Sequence, residues 1–262
     1  MRILYPSLYG EIKTVEPMYA EELGYMIARN RIETVNFSME EFEQGKFKKY
    51  GIIEKDDVLY RGWMMNIWDY RRLFAEVELC GAKMLVSPEQ YELCHYLPNW
   101  YELIKDLTAE TVIYPDANGP VVVVTLLKKW GKIFIKDYVK SAGKESICST
   151  MEEFYPALNA VQKIKGELEG GLCIRKFEEY VDGSERRYFV FKGRAFSPNE
   201  DIPQIVVECS KRINSPFFSV DVAERTDGVL RVIEIGDGQV SDLKTWPAER
   251  FSKIFGDNSG RP

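Results

Sequence analysis

The chain has 262 residues, enough for one large domain or two compact ones. Hydrophobic residues make up 45% and charged residues 29%, the balance of a soluble globular protein able to bury a sizeable core. A formal net charge of -6 and a pI near 5.2 argue against a protein that lives on nucleic-acid backbone, because such proteins usually show a basic face. The five cysteines (Cys80, Cys94, Cys148, Cys173, Cys209) are scattered, odd in number and without C-x-x-C spacing. Neither a disulfide framework nor a zinc site is expected, and a reducing, cytoplasmic setting fits better. The opening residues lack a charged-then-apolar signal pattern, and the longest apolar run, Val121 to Leu127, is too short to span a bilayer.

Strands and helices alternate along the chain, which predicts an α/β protein. ILYPS opens as a strand, and VLYRGW near residue 60 reads as another. IWDYRRLFAEVELCGA places Tyr70, Leu73, Phe74 and Val77 on one helical face, with Gly81 where a helix-ending glycine belongs. KMLVS follows as a strand. Ser87-Pro88-Glu89-Gln90 is a helix start with a capping box, and the helix should run toward Leu107 with a break at Pro98. TVIYP is a short strand, and PDANGP at 115–120 is a strong turn cluster where we place a domain boundary.

In the second half, VVVVTLLKKWG fits a strand by its β-branched run and a helix by its tail. KIFIKDYV (132–139) alternates as a strand does. Thr150 to Glu153 is a second capping box, opening a helix with Phe154, Leu158, Val161 and Ile164 on one face. LCIRKFEEY reads as a strand, RRYFVFKGRAFS as a strand pair turning at Lys192-Gly193, and IPQIVVECSKRI as a helix. FFSVDVAE and LRVIEIGDGQV are strands joined at Asp227-Gly228, a strong hairpin signal. PAERFSKIF is a short last helix, and the tail GDNSGRP reads as frayed.

Three features carry chemistry. Lys136 lies inside an apolar strand, where alternation sets Phe134, Lys136 and Tyr138 on one face and Ile133, Ile135 and Asp137 on the other. A lysine there suits a phosphate contact, and the small basic loop Lys140 to Lys144 suits closure over a polyphosphate. The bland alternative is an edge-strand lysine that deters aggregation. Arg175 and Arg187 each stand at the base of a strand and offer planar forks for phosphate or carboxylate. Their alternative is surface pairing with Glu178, Glu179 or Glu185. Asp221 and Glu234 sit in apolar contexts on the two strands of one hairpin, where facing buried carboxylates repel unless a cation or proton lies between them. Magnesium needs only a few protein oxygens beside substrate phosphates, and Asp237 follows on the turn GDG. A satisfied acid pair is the competing account.

In this order, the segments YRGWMM, IFIKDYVKS, CIRKFEEY, ERRYFVF and VIEIGDGQVS resemble the ATP-grasp superfamily, and more narrowly its R2K group. The resemblance runs from about Tyr60 to Ser241. It implies an ATP-grasp fold with an N-terminal pre-ATP-grasp α/β domain over 1–118 and an ATP-grasp domain over 119–262. A lid-like part would cover about 119–180 and a metal-binding part about 181–262. It further implies an ATP- and Mg2+-dependent ligase that activates a carboxylate as an acyl phosphate and joins it to an amine, releasing ADP and phosphate.

The resemblance also implies roles for residues. Lys136 would contact the phosphates. The strand Arg175, Lys176, Phe177, Glu178 would read adenine through its backbone, with Phe177 against the ring. Glu178 or Glu185 would bind ribose. Arg187 would neutralise phosphate or the acyl phosphate, and Asp221 and Glu234 would hold magnesium. Where many ATP-grasp enzymes carry an asparagine this chain has Gly236, so Asp237 or Gln239 would substitute. Expected partners are ATP and small-molecule or peptide carboxylates and amines, with no membrane or nucleic acid. Arg61, Gly62 and Trp63 either reach a ligand cleft or, for Trp63 and Trp68, fill a core. The lone histidine, His95, reads as structural. The competing readings are a non-catalytic ATP-binding regulatory protein on the same fold and a nucleic-acid-modifying enzyme.

Overall fold

A computed structural model describes residues 1–30, 32–114 and 120–256. In chain order the first elements are β1 (Arg2–Leu8), β2 (Glu11–Val15), α1 (Ala20–Asn30), β3 (Thr34–Phe37), α2 (Met39–Glu43), β4 (Lys49–Tyr50), β5 (Asp57–Tyr60), α3 (Ile67–Leu79) and β6 (Lys83–Met84). There follow α4 (Pro88–His95), α5 (Leu97–Ile104), β7 (Thr111–Tyr114), α6 (Pro120–Trp130), β8 (Ile133–Asp137), β9 (Ile147–Cys148), α7 (Met151–Lys163) and β10 (Leu172–Lys176). The last are β11 (Arg186–Phe191), β12 (Arg194–Phe196), α8 (Gln204–Arg212), β13 (Phe217–Glu224), β14 (Leu230–Asp237) and α9 (Ala248–Ser252). The mixed α/β content agrees with the sequence reading. The turn cluster at 115–119 and the tail beyond residue 256 lie outside the described residues.

The chain folds into two compact units that are interleaved in sequence. One holds Met1–Glu92, Arg187–Ser219 and the chain from Gly236; the other holds Leu93–Arg186 and Val220–Ile235. In the first, a sheet runs in the order β4-β3-β1-β5-β6, with β2 paired to β1. The β3-β1-β5-β6 pairings are parallel. Parallel strands need both faces covered, and Ile3, Leu4 and Tyr5 on β1 are all fully buried. A cluster of Phe189, Phe217, Trp246, Phe251 and Phe255 completes this core, with Phe189 and Phe251 ring centroids 4.9 Å apart.

The second unit is built on an antiparallel sheet in the order β7-β10-β8-β9. One of its faces buries Ile133, Ile135, Leu172 and Ile174 with Val123 and Leu126 of α6 and Phe154, Ala157 and Val161 of α7. The β-branched run Val121–Val124, which the sequence leaves open, is thus helical. Val123 and Leu126 are spaced for one helical face, and tertiary burial outweighs the weak strand preference of valine. On α7 the buried face is Phe154, Ala157 and Val161, whereas Leu158 is only partly buried and Ile164 is 45% exposed. The predicted helix toward Leu107 breaks at Tyr96, leaving Pro98 in the first turn of α5, where its missing N–H is harmless.

The third sheet, β12-β11-β13-β14, draws β13 and β14 from residues of both units. Its β11–β12 turn is Lys192-Gly193 as predicted, with φ of 49° and 77°, the left-handed pair that a two-residue hairpin demands. No helix among the described residues is long and apolar enough to cross a membrane.

Candidate functional site

The second unit carries the site. Alternation along β8 turns Ile133 and Ile135 into the core, so Phe134 and Lys136 occupy the opposite face of the sheet. On the neighbouring strand Arg175 pairs with Phe134 and Cys173 with Lys136. Lys136 is 5% exposed and β8 lies between β10 and β9, so the edge-strand account of this lysine fails. Asp137, on the core side, accepts backbone N–H bonds and is buried. On the lysine face opens a cavity of about 410 Å³. Phe134, Ile147, Ala223 and Ile233 supply apolar walls; Arg175, Lys176, Phe177 and Glu178 form one side; Gly143 and Lys144 form another; the segment Tyr180 to Glu185 closes it. The volume and the apolar lining with a few charged groups suit a small organic ligand.

Arg175 is 6% exposed, and its partners are the Ile233 carbonyl at 2.9 Å and Thr108 Oγ1 at 2.6 Å rather than a carboxylate. Its Nε has no partner among the described residues, and burial lowers its pKa. The expected surface pairing with Glu178 or Glu179 does not form. Instead Glu178 is held by Arg225 (3.3 Å), Arg231 (3.2 Å) and the Tyr180 hydroxyl (2.8 Å), with its side chain 7% exposed. Glu185 is exposed at the cavity wall. The backbone N–H groups of Lys176 and Phe177 donate to Glu110 and Lys132 carbonyls, at 2.8 and 3.2 Å. Lys132 Nζ sits 4.8 Å above the Phe177 ring.

Thr108 and Arg231 were not singled out from the sequence. Arg231 donates to the Asp106 carbonyl at 3.0 Å and to the Thr108 carbonyl, besides Glu178. Only its three partners, distant in sequence, reveal the tie.

Of the carboxylates, Asp221 is 2% exposed and shares its strand face with Ala223, which lines the cavity. Glu234 is not buried as expected; its side chain is 40% exposed, and Oε1 lies 3.1 Å from Lys136 Nζ. A position near the rim lets a lysine balance its charge. Asp237 belongs to the first unit. Its Oδ1 accepts from the Gln239 backbone (3.0 Å) and side-chain amide (3.1 Å), while Oδ2 has no partner among the described residues. Burial raises its pKa to about 7. The described residues hold no group of three or more acidic, histidine or cysteine side chains arranged for a metal. A magnesium ion on Asp221 and Glu234 would be a two-carboxylate site completed by phosphate and water, which is magnesium's usual habit.

In the first unit Arg187 is 8% exposed and donates to Asp242, at 3.0 Å to its carbonyl and also to its carboxylate. Arg61 is buried, paired with Glu22 at 3.0 Å, and donates to the carbonyls of Gly238 (3.2 Å), Gln239 (3.1 Å) and Ser241. Trp63 Nε1 meets Met18 sulfur at 3.2 Å, and Trp68 is 77% exposed, so Trp68 fills no core. His95, 6% exposed, lies 3.6 Å from Glu169.

No curated protein sequence shows significant similarity to the chain. Solved structures do share its fold. The crystal structure of D-cycloserine synthetase DcsG superposes with a TM-score of 0.66 at 13% identity, covering 98% of this chain and 99% of that one. D-alanyl-alanine synthetase A from Vibrio cholerae gives 0.64 at 12% identity, over 97% and 95%. The ATP-grasp ligase PsnB, complexed with minimal precursor, Mg and ADP, gives 0.62 at 12% identity, over 97% and 95%. Identities this low establish the fold and no more. The family model of the ATP-grasp domain, R2K clade family 3, matches residues 114–254, more than half of the chain, and the chain belongs to that family.

Proposed function

We propose that the protein is an ATP- and magnesium-dependent ligase joining a carboxylate to an amine. The observation that carries this reading is the cavity beside a buried strand lysine, with Arg175 in its wall and Asp221 and Glu234 on the strands next to it. A carboxylate is a poor electrophile. Its oxygen attacks the γ-phosphorus of ATP, ADP leaves, and an acyl phosphate forms. An amine then attacks the carbonyl carbon, loses a proton, and displaces phosphate. The chain's own task is positioning and charge neutralisation.

Residue roles follow from placement. Lys136 contacts the nucleotide phosphates, its ammonium being a buried cation on the same sheet face as the cavity. Lys176, Phe177 and Glu178 form the wall that receives adenine, with Phe177 packing near the ring. Because the Lys176 and Phe177 N–H groups are already bonded, base recognition by a backbone donor falls to Glu178 or beyond. Glu178, tied to two arginines, or Glu185 on the cavity wall takes the ribose hydroxyls. Arg175 supplies positive potential to the cavity, and Arg187 serves the acyl phosphate. Asp221 and Glu234 hold magnesium, which when bound neutralises phosphate charge. Asp237, engaged by Gln239, is left out of this set. Residues 1–118 and 119–262 act as the pre-ATP-grasp and ATP-grasp parts.

The substrates are small-molecule or peptide carboxylates and amines. The decisive experiment measures ADP release with mixtures of amino acids and peptides, followed by mass spectrometry of the products. Release that depends on both a carboxylate and an amine supports the ligase. Nucleotide binding without any ADP release would instead favour an ATP-binding regulatory protein.

A further inference from the structure

We propose that Asp137 and Ser146 are positioning residues that fix the Lys140–Lys144 loop at both ends as a polyphosphate clamp; the inference rests on the nucleotide reading above. Asp137 follows Lys136 on β8 but points away from it, into the unit, and is 1% exposed. Its Oδ1 accepts the N–H of Val139 at 2.6 Å and that of Lys140, and its Oδ2 accepts the N–H of Glu169 at 3.2 Å. Its own N–H donates to the Lys140 carbonyl at 2.9 Å. One buried carboxylate thus folds the root of the loop back on itself and pins it to the Glu169 segment. A second tether reinforces the first: Tyr138 N–H donates to the Glu169 carbonyl at 3.2 Å, and the Leu97 N–H donates to the Tyr138 carbonyl at 2.9 Å.

The far end is fixed separately. Ser146 is fully buried, and its Oγ accepts the Ala142 N–H at 2.9 Å. Between these anchors the loop places Gly143 and Lys144 in the cavity wall. Asp137 spends its oxygens on backbone N–H groups and not on lysine ammoniums. Among the described residues neither Lys140 nor Lys144 has an ion-pair partner. Two cations held on a doubly anchored backbone are therefore available to an anion, and an anchored loop forfeits less conformational entropy on binding than a free one. The chemical class that fits is a polyphosphate reaching past the adenosine cavity.

Calorimetry with magnesium-ATP and with AMP tests this, since both share the adenosine and differ in phosphate number. Asp137→Asn keeps the size but sets an NH2 against an N–H donor. It should weaken ATP about tenfold, the loss of roughly one charge-assisted hydrogen bond, and leave AMP within about twofold. Ser146→Ala should act in the same direction more weakly, and it decides the matter if Asp137→Asn fails to fold. Combining Ser146→Ala with Lys144→Ala should give less than the sum of the single effects on ATP, because both act through one loop. Equal losses for ATP and AMP, or additive effects, would overturn the clamp. A parent protein that binds no ATP overturns the nucleotide reading itself, a separate result.

Discussion

Lys136 Nζ and Glu234 Oε1 stand 3.1 Å apart, although 98 positions separate them in the chain. The contact joins an inner strand of the antiparallel sheet to β14, and sets the lysine assigned to phosphates against a carboxylate assigned to magnesium. Such a pair is suited to exchange partners, since each member meets a ligand of the opposite charge when nucleotide binds. Lys136→Met keeps length and apolar bulk while removing the cation. Nucleotide affinity should fall by about tenfold or more, with the unfolding midpoint little changed. Unaltered affinity in calorimetry would remove Lys136 from the site.

Glu234→Gln tests the other half of the pair. The amide preserves size and a weaker contact to Lys136, but gives up the charge that magnesium requires. ADP formation should drop by more than about a hundredfold, consistent with the loss of a main electrostatic contribution. The fold should persist, because the side chain is 40% exposed. Normal turnover by this variant would place the metal elsewhere.

Arg231 is predicted to matter for stability rather than chemistry. Removing it by Arg231→Met leaves the buried Glu178 with Arg225 and Tyr180, and takes one donor from each of the Asp106 and Thr108 carbonyls. Breaking one partner of such a buried network should cost on the order of 2 kcal/mol, read as a lowered urea midpoint. The double variant with Glu178→Gln should lose less than the two single variants combined.

Asp237 gives a pH dependence with a definite sign. Its folded pKa is raised to about 7 by burial, above an unfolded value of about 3.9. The folded state thus keeps a proton that the unfolded chain releases. This contribution to stability is full below about pH 4 and is lost as pH rises through about 7. Asp237→Asn is neutral throughout, so its advantage over the parent should grow between about pH 4 and 7 to roughly 4 kcal/mol, then level off. Parallel stability curves for the two proteins would show that the buried carboxylate does not titrate there.

The sequence alone determined the local elements whose signals are local. The capping box at Ser87 forms in both directions, Ser87 Oγ accepting from Gln90 N at 3.3 Å and Gln90 Oε1 from Ser87 N at 3.0 Å, whereas at Thr150 the Oγ1 accepts from Glu153 N at 3.3 Å but the Glu153 carboxylate accepts from Ser149 N, one residue earlier. Gly81 follows α3 with φ of 76°, and the lysine of IFIKDYV faces away from the isoleucines, because side-chain alternation on a strand leaves no choice. The order of motifs also sufficed for the family. Long-range matters were decided by the tertiary structure. Residues 11–50 gave β2, β3, β4, α1 and α2 without a reading from the sequence, since short elements gain their stability from neighbours that a linear pattern does not reveal. The helical state of Val121–Val124 came from burying Val123 and Leu126 against β8, not from propensity. Which glutamate is spent on arginines, and that Glu234 lies half-exposed against Lys136, depend on chain segments tens of residues apart meeting in space. Charge–charge contacts act through distance, and distance between remote residues is set by packing alone.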